Sequence, residues 1–382
     1  MKINIITYTR TKNYGGILQS YALYSYLQNE GYEVEFIDYV PERCNIDDPV
    51  MFTNNILRNS RLWGRTEITK TVWRLVKFPK IKKSYQPFID FLRSRADFSK
   101  PYYSSDELVN DYPKADLYIT GSDQVWNSSF CRDEKVDSPY YYSFLKNERR
   151  ISYASSFGKD SIPNKNIGEV KSHLAKYDSL SVREDSGVEI IKQMGLISKR
   201  VVDPTLLCEK KVFDDLCLDK LNITGYIVLY QVHFDQNTFK LALQVSKTLK
   251  KKLVVISIDS DKKRQIKNCI FVNPNINEWI SLIKFSSGII TDSFHACIFS
   301  ILYEKNFIVN TGTRRKMSTR INGLLNILSL DERIFNGYDK EAATKLLTLD
   351  INWEKCNSSL KEEQEKSRKW LNDAIKNRCD AI

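Results

Sequence analysis

The chain has 382 residues, of which 42% are hydrophobic and 27% are charged, a composition that excludes a disordered protein. The length predicts two domains, and no apolar run is long enough for a membrane-spanning helix. The net charge is +11, yet the segment 58–100 alone carries twelve basic and three acidic residues, a net charge of +9. This concentration argues against nucleic acid as a partner and favours docking of one basic segment on an anionic surface.

The cysteines and the first apolar run indicate a cytoplasmic protein. The eight Cys are scattered without a Cys-x-x-Cys pair, which argues against a zinc site or a disulfide framework and fits reduced thiols. The first run lacks a small-residue cleavage site and leads into a helical pattern, so we interpret it as a strand and not as a signal peptide. We therefore expect no metal.

Predicted strands and helices alternate through the first half of the chain. Residues 2–9 predict a strand, NYGG (13–16) a tight turn, and residues 17–31 a helix. β-Branched and aromatic runs predict further strands at 34–39, 116–122, 149–158 and 179–184, with helices at 170–178 and 186–195. Pro204 interrupts the run 200–207, so this run is not a continuous strand. It suits a segment in which the chain crosses from one domain to the other.

The second half repeats this alternation with more apolar strands, at 225–232, 252–258, 288–293 and 306–311. Near-continuous apolar strands that alternate with helices predict parallel sheets with right-handed crossovers. We therefore predict an α/β fold of two doubly wound Rossmann-like domains that face each other across a cleft. The predicted domains are residues 1–204, with a basic helical insert at about 48–100, and residues 205–350, followed by a C-terminal helix (351–382) that packs back across them.

His295, one of only three histidines, follows the strand 288–293 where a helix begins. Asp292 or Ser293 would cap this helix, whose first backbone N–H groups attract anions. Because ligands bind beyond the carboxyl ends of parallel strands, the imidazole could donate to a bound anion or transfer a proton. The alternative is that His295 only caps and packs.

The segments after two earlier strands carry candidate ligand-binding groups. Asn13, Gly15 and Gly16 would bring backbone amides close to a ligand, or else form a structural turn. They match neither GxGxxG nor a Walker motif, so NAD and ATP are not indicated. In GSDQVWN, polar groups beside an aromatic ring suit a sugar, although the tryptophan could equally belong to the core; these residues are Asp123, Gln124 and Trp126.

Arginines near predicted strand ends suit a phosphate or carboxylate ligand, which they bind bidentately. Arg314 and Arg320 follow the last strand, and some of this group should point into the cleft, whereas Arg315 and Lys316 read as solvated loop residues. Arg183 closes a strand of the first domain, where a salt bridge with a neighbouring acid is the alternative role.

The segment 66–78 predicts a basic amphipathic helix. Ile68, Val72, Leu75 and Val76 share one face, and Trp63, Trp73 and Phe78 are close by in the sequence. This pattern is typical of a segment that lies on an anionic membrane, here the inner face of the cytoplasmic membrane. The alternative is a surface helix packed on its own domain.

Taken in order, these motifs resemble the polysaccharide pyruvyl transferase family nearly from end to end. The resemblance rests on NYGGILQSYAL, IDY, GSDQVWN, YASSFG, SVREDSG, DPTLL, ITDSFHACIFSI and STRINGLL. It implies a GT-B-like fold and transfer of pyruvate from phosphoenolpyruvate to a sugar hydroxyl pair as a cyclic ketal, in bacterial capsule or exopolysaccharide assembly. The acceptor, a lipid-linked or polymeric saccharide, would bind the N-terminal domain and the donor the C-terminal domain.

The resemblance also implies roles for single residues. His295 matches the family's histidine and would protonate the donor, with no cofactor beyond phosphoenolpyruvate as co-substrate. Asp123, Gln124 and Trp126 would hold the acceptor. Ser293 and the amides near Asn13 would contribute to donor binding.

One departure from the family pattern leaves the residue that binds the donor phosphate unassigned. Many members have an arginine two residues before the histidine, whereas here Ser293 stands there. Arg314, Arg320 or Arg183 would substitute for it. Two other functions remain: a GT-B glycosyltransferase that uses a nucleotide sugar, and a catalytically inactive carbohydrate-binding scaffold.

Overall fold

The computed structural model describes residues 1–58, 60–219, 221–257, 266–310 and 319–377, and the chain forms two compact units. The first unit comprises Met1–Leu207 together with the final segment that starts at Arg368, and the second comprises Cys208–Ser367. No helix among the described residues is long and apolar enough to cross a membrane.

The first unit is built on a parallel sheet with the strand order β2-β1-β3-β4, beside which the short β5 and β6 pair with each other. Single bridges, Ile151 to Ser179 and Ser155 to Val182, connect β4 with the chain around β5. The strands are β1 (Lys2–Ile6), β2 (Glu33–Phe36), β3 (Leu117–Thr120), β4 (Arg150–Ser152), β5 (Ser181–Val182) and β6 (Lys199–Arg200).

Helices flank this sheet and account for most of the insert between β2 and β3. They are α1 (Tyr14–Asn29), α2 (Pro49–Leu57), α3 (Glu67–Arg93), α4 (Ser105–Asn110), α5 (Ile167–Leu174), α6 (Asp185–Gln193) and α7 (Pro204–Leu207). Gly31, with φ of 85°, follows α1 and takes the left-handed conformation that commonly ends a helix.

The second unit has a five-stranded parallel sheet with the order β11-β10-β7-β8-β9. Its central strands are fully buried, which explains their continuous apolar sequences. The strands are β7 (Tyr226–Tyr230), β8 (Lys252–Ile256), β9 (Cys269–Val272), β10 (Ile289–Thr291) and β11 (Phe307–Val309). The helices are α8 (Lys211–Asp214), α9 (Gln236–Thr248), α10 (Ile276–Lys284), α11 (Phe294–Leu302), α12 (Thr319–Ile327), α13 (Lys340–Thr348) and α14 (Trp353–Ile375), whose last residues belong to the first unit.

This architecture confirms the predicted α/β fold with doubly wound, Rossmann-like units. Two local expectations were wrong. NYGG is not a separate turn, because Asn13 is the N-cap of α1 and accepts a hydrogen bond from Gly16 N. The strand β9 was missed: its residues CIFV are all apolar, but the strand is only four residues long and lies half-buried at the sheet edge.

Candidate active site

The first site element is the turn from β10 to α11 in the second unit. Ser293 is the N-cap of α11 and its hydroxyl accepts a hydrogen bond from Ala296 N at 3.3 Å. The backbone N–H of Ser293 in turn donates to Thr291 Oγ1 at the end of β10. A helix that begins here directs its first N–H groups beyond the carboxyl end of the sheet, where an anion is favoured.

Asp292 does not cap the helix but fixes the loop after the neighbouring strand β7. Its two carboxylate oxygens accept hydrogen bonds from Val232 N at 2.6 Å and His233 N at 3.0 Å. The same carboxylate lies 3.6 Å from Nδ1 of the His233 ring. A carboxylate beside an imidazole orients the ring. His233 keeps 35% of its side chain exposed and can contact a ligand.

His295 lies in the first turn of α11 and is buried, with 7% of its surface exposed. Its ring centre is 5.3 Å from that of Phe294. The Arg320 guanidinium from α12 lies 5.9 Å from the centre of the same Phe294 ring, in the range of a cation–π contact. Ser293, His295 and Arg320 therefore all lie next to Phe294, whereas Arg314 lies outside the described residues.

A second polar cluster surrounds Arg183 at the carboxyl ends of the first unit's strands. The Arg183 guanidinium is fully buried and donates to Asp203 Oδ2 at 2.9 Å and Asp123 Oδ1 at 3.1 Å. Glu184 lies 3.5 Å from its Nε. Burial disfavours the charged form, but the three neighbouring carboxylates outweigh it and raise the pKa of Arg183.

The sequence suggested that Arg183 binds the donor phosphate. In the structure its guanidinium instead pairs with carboxylates of its own unit. Ser122 adds a hydrogen bond to Asp203 Oδ2, and Asp203 Oδ1 accepts from both the backbone and the hydroxyl of Thr205. One cation therefore sits among three carboxylates. We accordingly reassign Arg183 as a structural counter-ion, which is the salt-bridge role left open above.

Asp123 is the most exposed carboxylate of this cluster, and its backbone is strained. Its φ of 76° lies in the left-handed region that a non-glycine residue rarely adopts. A Cβ added to Gly16 would lie 3.2 Å from Asp123 Oδ2 and 3.0 Å from Thr11. Gly16 therefore permits a close approach of α1 to Asp123, and Asn13 caps the same turn. Backbone strain of this kind is frequent at functional sites.

The other expected acceptor residues differ in accessibility. Trp126 is 2% exposed, stacks on Tyr141, and donates from Nε1 to the Tyr140 carbonyl, so it belongs to the core. Gln124 is half-buried and its side-chain carbonyl accepts from Asn127. Of the acceptor set, Gln124 is therefore the most accessible residue, whereas Asp123 keeps 9% of its surface exposed.

Sequence reasoning missed His233 and Asp203. His233 directly follows the predicted strand 225–232, and only the contact with Asp292 reveals its position. Asp203 precedes Pro204 in a run interpreted as a domain crossing. Inspection of the residues after every predicted strand would have found His233, whereas Asp203 follows β6, a two-residue strand that the sequence did not predict.

Comparison with known proteins gives the fold and the family. The chain is similar to the S. aureus MnaA–UDP co-structure (12% identity, TM-score 0.53, covering 99% of this chain and 97% of that one). It is also similar to UDP-GlcNAc 2-epimerase from Methanocaldococcus jannaschii (14% identity, TM-score 0.50, 97% and 100% covered). These likenesses place the fold in the GT-B class. No curated protein matches the sequence.

The sequence model of the polysaccharide pyruvyl transferases matches residues 13–309, which include the Arg183 cluster and, in the second unit, His233, Asp292 and His295 but not Arg320. The match spans well over half of the chain, so it extends beyond any single motif. The chain therefore belongs to the polysaccharide pyruvyl transferase family, and it is a transferase.

Proposed function

We propose that the protein transfers the pyruvyl group of phosphoenolpyruvate to two hydroxyls of a saccharide acceptor as a cyclic ketal. The observation that supports this most is the group at the carboxyl edge of the second unit's sheet: the α11 N-terminus, two imidazoles and Arg320. A small ligand with a phosphate and a carboxylate requires such a set of donors.

In this proposal the donor binds at the second unit. The imidazole of His233, held by Asp292, binds the phosphate, while Arg320 and the first N–H groups of α11 share the remaining negative charge. His295 gives a proton to the methylene carbon. Its low exposure favours this step, because bulk water does not compete for the same position.

The acceptor binds at the first unit, beside Asp123. A carboxylate on the edge of a sheet accepts hydrogen bonds from sugar hydroxyls and can take the proton of an attacking hydroxyl. The surrounding cluster of one cation and three carboxylates suits a neutral polyol better than a trianion.

The reaction balances without an oxidant or a further co-reactant. Protonation of the methylene carbon makes it a methyl group and leaves C2 electrophilic, so the first hydroxyl oxygen bonds to C2. The proton of this hydroxyl, taken by Asp123 and passed to solvent, balances the proton that His295 gave and regains from solvent. The second hydroxyl then bonds to C2 as the C2–O bond to phosphate breaks. Its proton leaves with inorganic phosphate. The products are one ketal and one phosphate.

Mass spectrometry of the saccharide acceptor, incubated with the protein and phosphoenolpyruvate, tests the proposal. We expect a product heavier by one pyruvic acid minus one water, with release of one equivalent of phosphate. A product heavier by one sugar residue, formed only with a nucleotide sugar, would favour a GT-B glycosyltransferase instead. No product from either donor across a broad acceptor panel would leave the carbohydrate-binding scaffold as the better account.

A further inference from the structure

The helix α3 has two apolar faces, whereas a surface helix ordinarily has one. One face packs on its own unit: Trp73, Phe78, Ile81 and Tyr85 contact a cluster that includes Phe52. One of the two sequence interpretations, a helix packed on its own domain, therefore holds for this face of α3. Phe78 is buried there and Trp73 is half-buried.

The other face of α3 is exposed. Ile68 is 77% exposed and Leu75 is 73% exposed, and Val72 and Val76 lie between and beside them. These four side chains have the i, i+4, i+7, i+8 spacing of one helical face. Just before the helix, Leu62 and Trp63 are also exposed. Water-exposed apolar side chains grouped in this way mark an interaction surface and not a solvated helix.

Basic residues continue this face toward the carboxyl end of the helix. Lys80 and Lys83 follow Val76 by four and seven residues, which places them on the same side one and two turns further on. Lys77 is exposed as well. Lysine side chains are long enough to keep their ammonium groups at the level of lipid headgroups. The neighbouring apolar side chains can then insert below that level.

We propose that this exposed face of α3 docks on an anionic phospholipid bilayer, with its apolar side chains at the headgroup boundary. Charge decides between a bilayer and a second copy of the chain. The segment 58–100 carries +9 of the total +11, so a second copy would bring the same positive charge to the interface. An anionic lipid surface attracts this basic segment instead. Each lysine near such a surface raises the affinity about fivefold.

Co-sedimentation with vesicles at low ionic strength tests this inference without any assay of catalysis. We expect the full chain to pellet with vesicles that contain about a third phosphatidylglycerol, and to stay in solution with pure phosphatidylcholine or at high salt. Ile68→Ser combined with Leu75→Ser should weaken binding about tenfold or more. The matched control is Ile197→Ser, which removes a side chain that is 65% exposed elsewhere on the same unit and should change nothing.

A second pair of variants tests whether membrane binding depends on the lysines of α3 or only on the net charge of the protein. Lys77, Lys80 and Lys83→Gln should weaken binding on the order of 100-fold. The control triple, Lys171, Lys176 and Lys192→Gln, lowers net charge equally at exposed positions outside α3 and should have little effect. Equal losses from both triples, or wild-type protein that stays in solution with anionic vesicles, would overturn the inference. So would concentration-dependent self-association that Ile68→Ser abolishes, since the face would then join two copies.

Discussion

Among the described residues, the two sheets carry different polar groups at their carboxyl edges. In the first unit the buried Arg183 is surrounded by Asp123, Glu184 and Asp203, so carboxylates outnumber the cation. In the second unit the Asp292 carboxylate contacts the His233 ring, and His295 and Arg320 both lie beside Phe294. The same doubly wound architecture therefore provides one edge suited to hydroxyl groups and another suited to anions. We infer that the two substrates divide between the edges accordingly.

Arginine has different roles in the two units, as Arg183 and Arg320 show. Arg183 is locked by hydrogen bonds to two carboxylates and has no side-chain exposure, whereas Arg320 lies half-buried over an aromatic ring beside a helix N-terminus. The first arrangement stabilises a loop geometry. The second leaves a cation near the surface, where a ligand phosphate can approach it.

The largest effect is expected from His295→Gln, since it removes the proposed proton donor. Transferase activity should fall about 10²- to 10⁴-fold, which is the usual contribution of general acid catalysis. The glutamine keeps a hydrogen-bonding side chain in a buried position, and an unchanged Tm would show that the fold persists. His173→Gln, at a histidine of the other unit, is the control and should retain near-normal turnover; normal turnover by His295→Gln would remove His295 from the mechanism.

The next largest effect is expected on stability, from Arg183→Ala. Three buried carboxylates would lose their counter-ion, and the free energy of unfolding should fall by about 3–5 kcal/mol. Arg183→Lys keeps the charge but loses the planar fork and should recover only part of this loss. Denaturant titration measures both. If Arg183→Ala unfolded like the wild type but failed to bind phosphoenolpyruvate, the donor role first suggested for this arginine would return.

A smaller loss is expected from Asp123→Asn, which removes one charge and keeps the shape. Asparagine tolerates the left-handed backbone at this position, so the fold should persist. Saccharide turnover should fall about tenfold to 100-fold as the hydroxyls lose their acceptor. Asp133→Asn is the matched control, because Asp133 has φ of 55° yet is exposed outside the cluster. Equal activities of the two variants would contradict an acceptor site at Asp123.

The smallest effect is a pH dependence of stability from His173. Burial lowers the pKa of His173 below its usual value of 6.5, although Glu169 at 3.8 Å opposes this. As pH falls through about 6.5, the unfolded chain binds a proton that the folded protein resists, so stability decreases toward acid. Chemical denaturation on both sides of this pH should give a shallower pH slope for His173→Gln. A slope identical to that of the wild type would exclude this residue as the cause.

Much of the fold could be predicted from the sequence because both sheets are parallel and buried. β7 and β10 have continuous apolar sequences, which only strands covered on both faces maintain. The edge strand β9 was missed although CIFV is apolar throughout, because a run of only four apolar residues between polar neighbours does not by itself distinguish a strand from a short buried loop. The placement of His295 beside a helix cap followed from a strand that ends in Thr-Asp-Ser, and the structure assigns the cap to Ser293.

The partners within each polar cluster could not be predicted in the same way. Asp203 lies 20 residues from Arg183, and Asp292 lies 59 residues from His233, so these pairs depend on which strands become neighbours. Trp126 shows the converse: its neighbours in sequence suggested a sugar platform, but its stacking on Tyr141 places it in the core. Tertiary packing decided each of these cases.

Calorimetric titration with phosphoenolpyruvate tests the division of substrates most directly, using the wild type, His233→Ala and Asp123→Asn. We predict that His233→Ala weakens binding about tenfold or more, because a charged hydrogen bond to the phosphate is lost. Asp123→Asn should bind phosphoenolpyruvate as tightly as the wild type does. Weakened binding by Asp123→Asn together with unchanged binding by His233→Ala would contradict the assignment of the donor to the second unit.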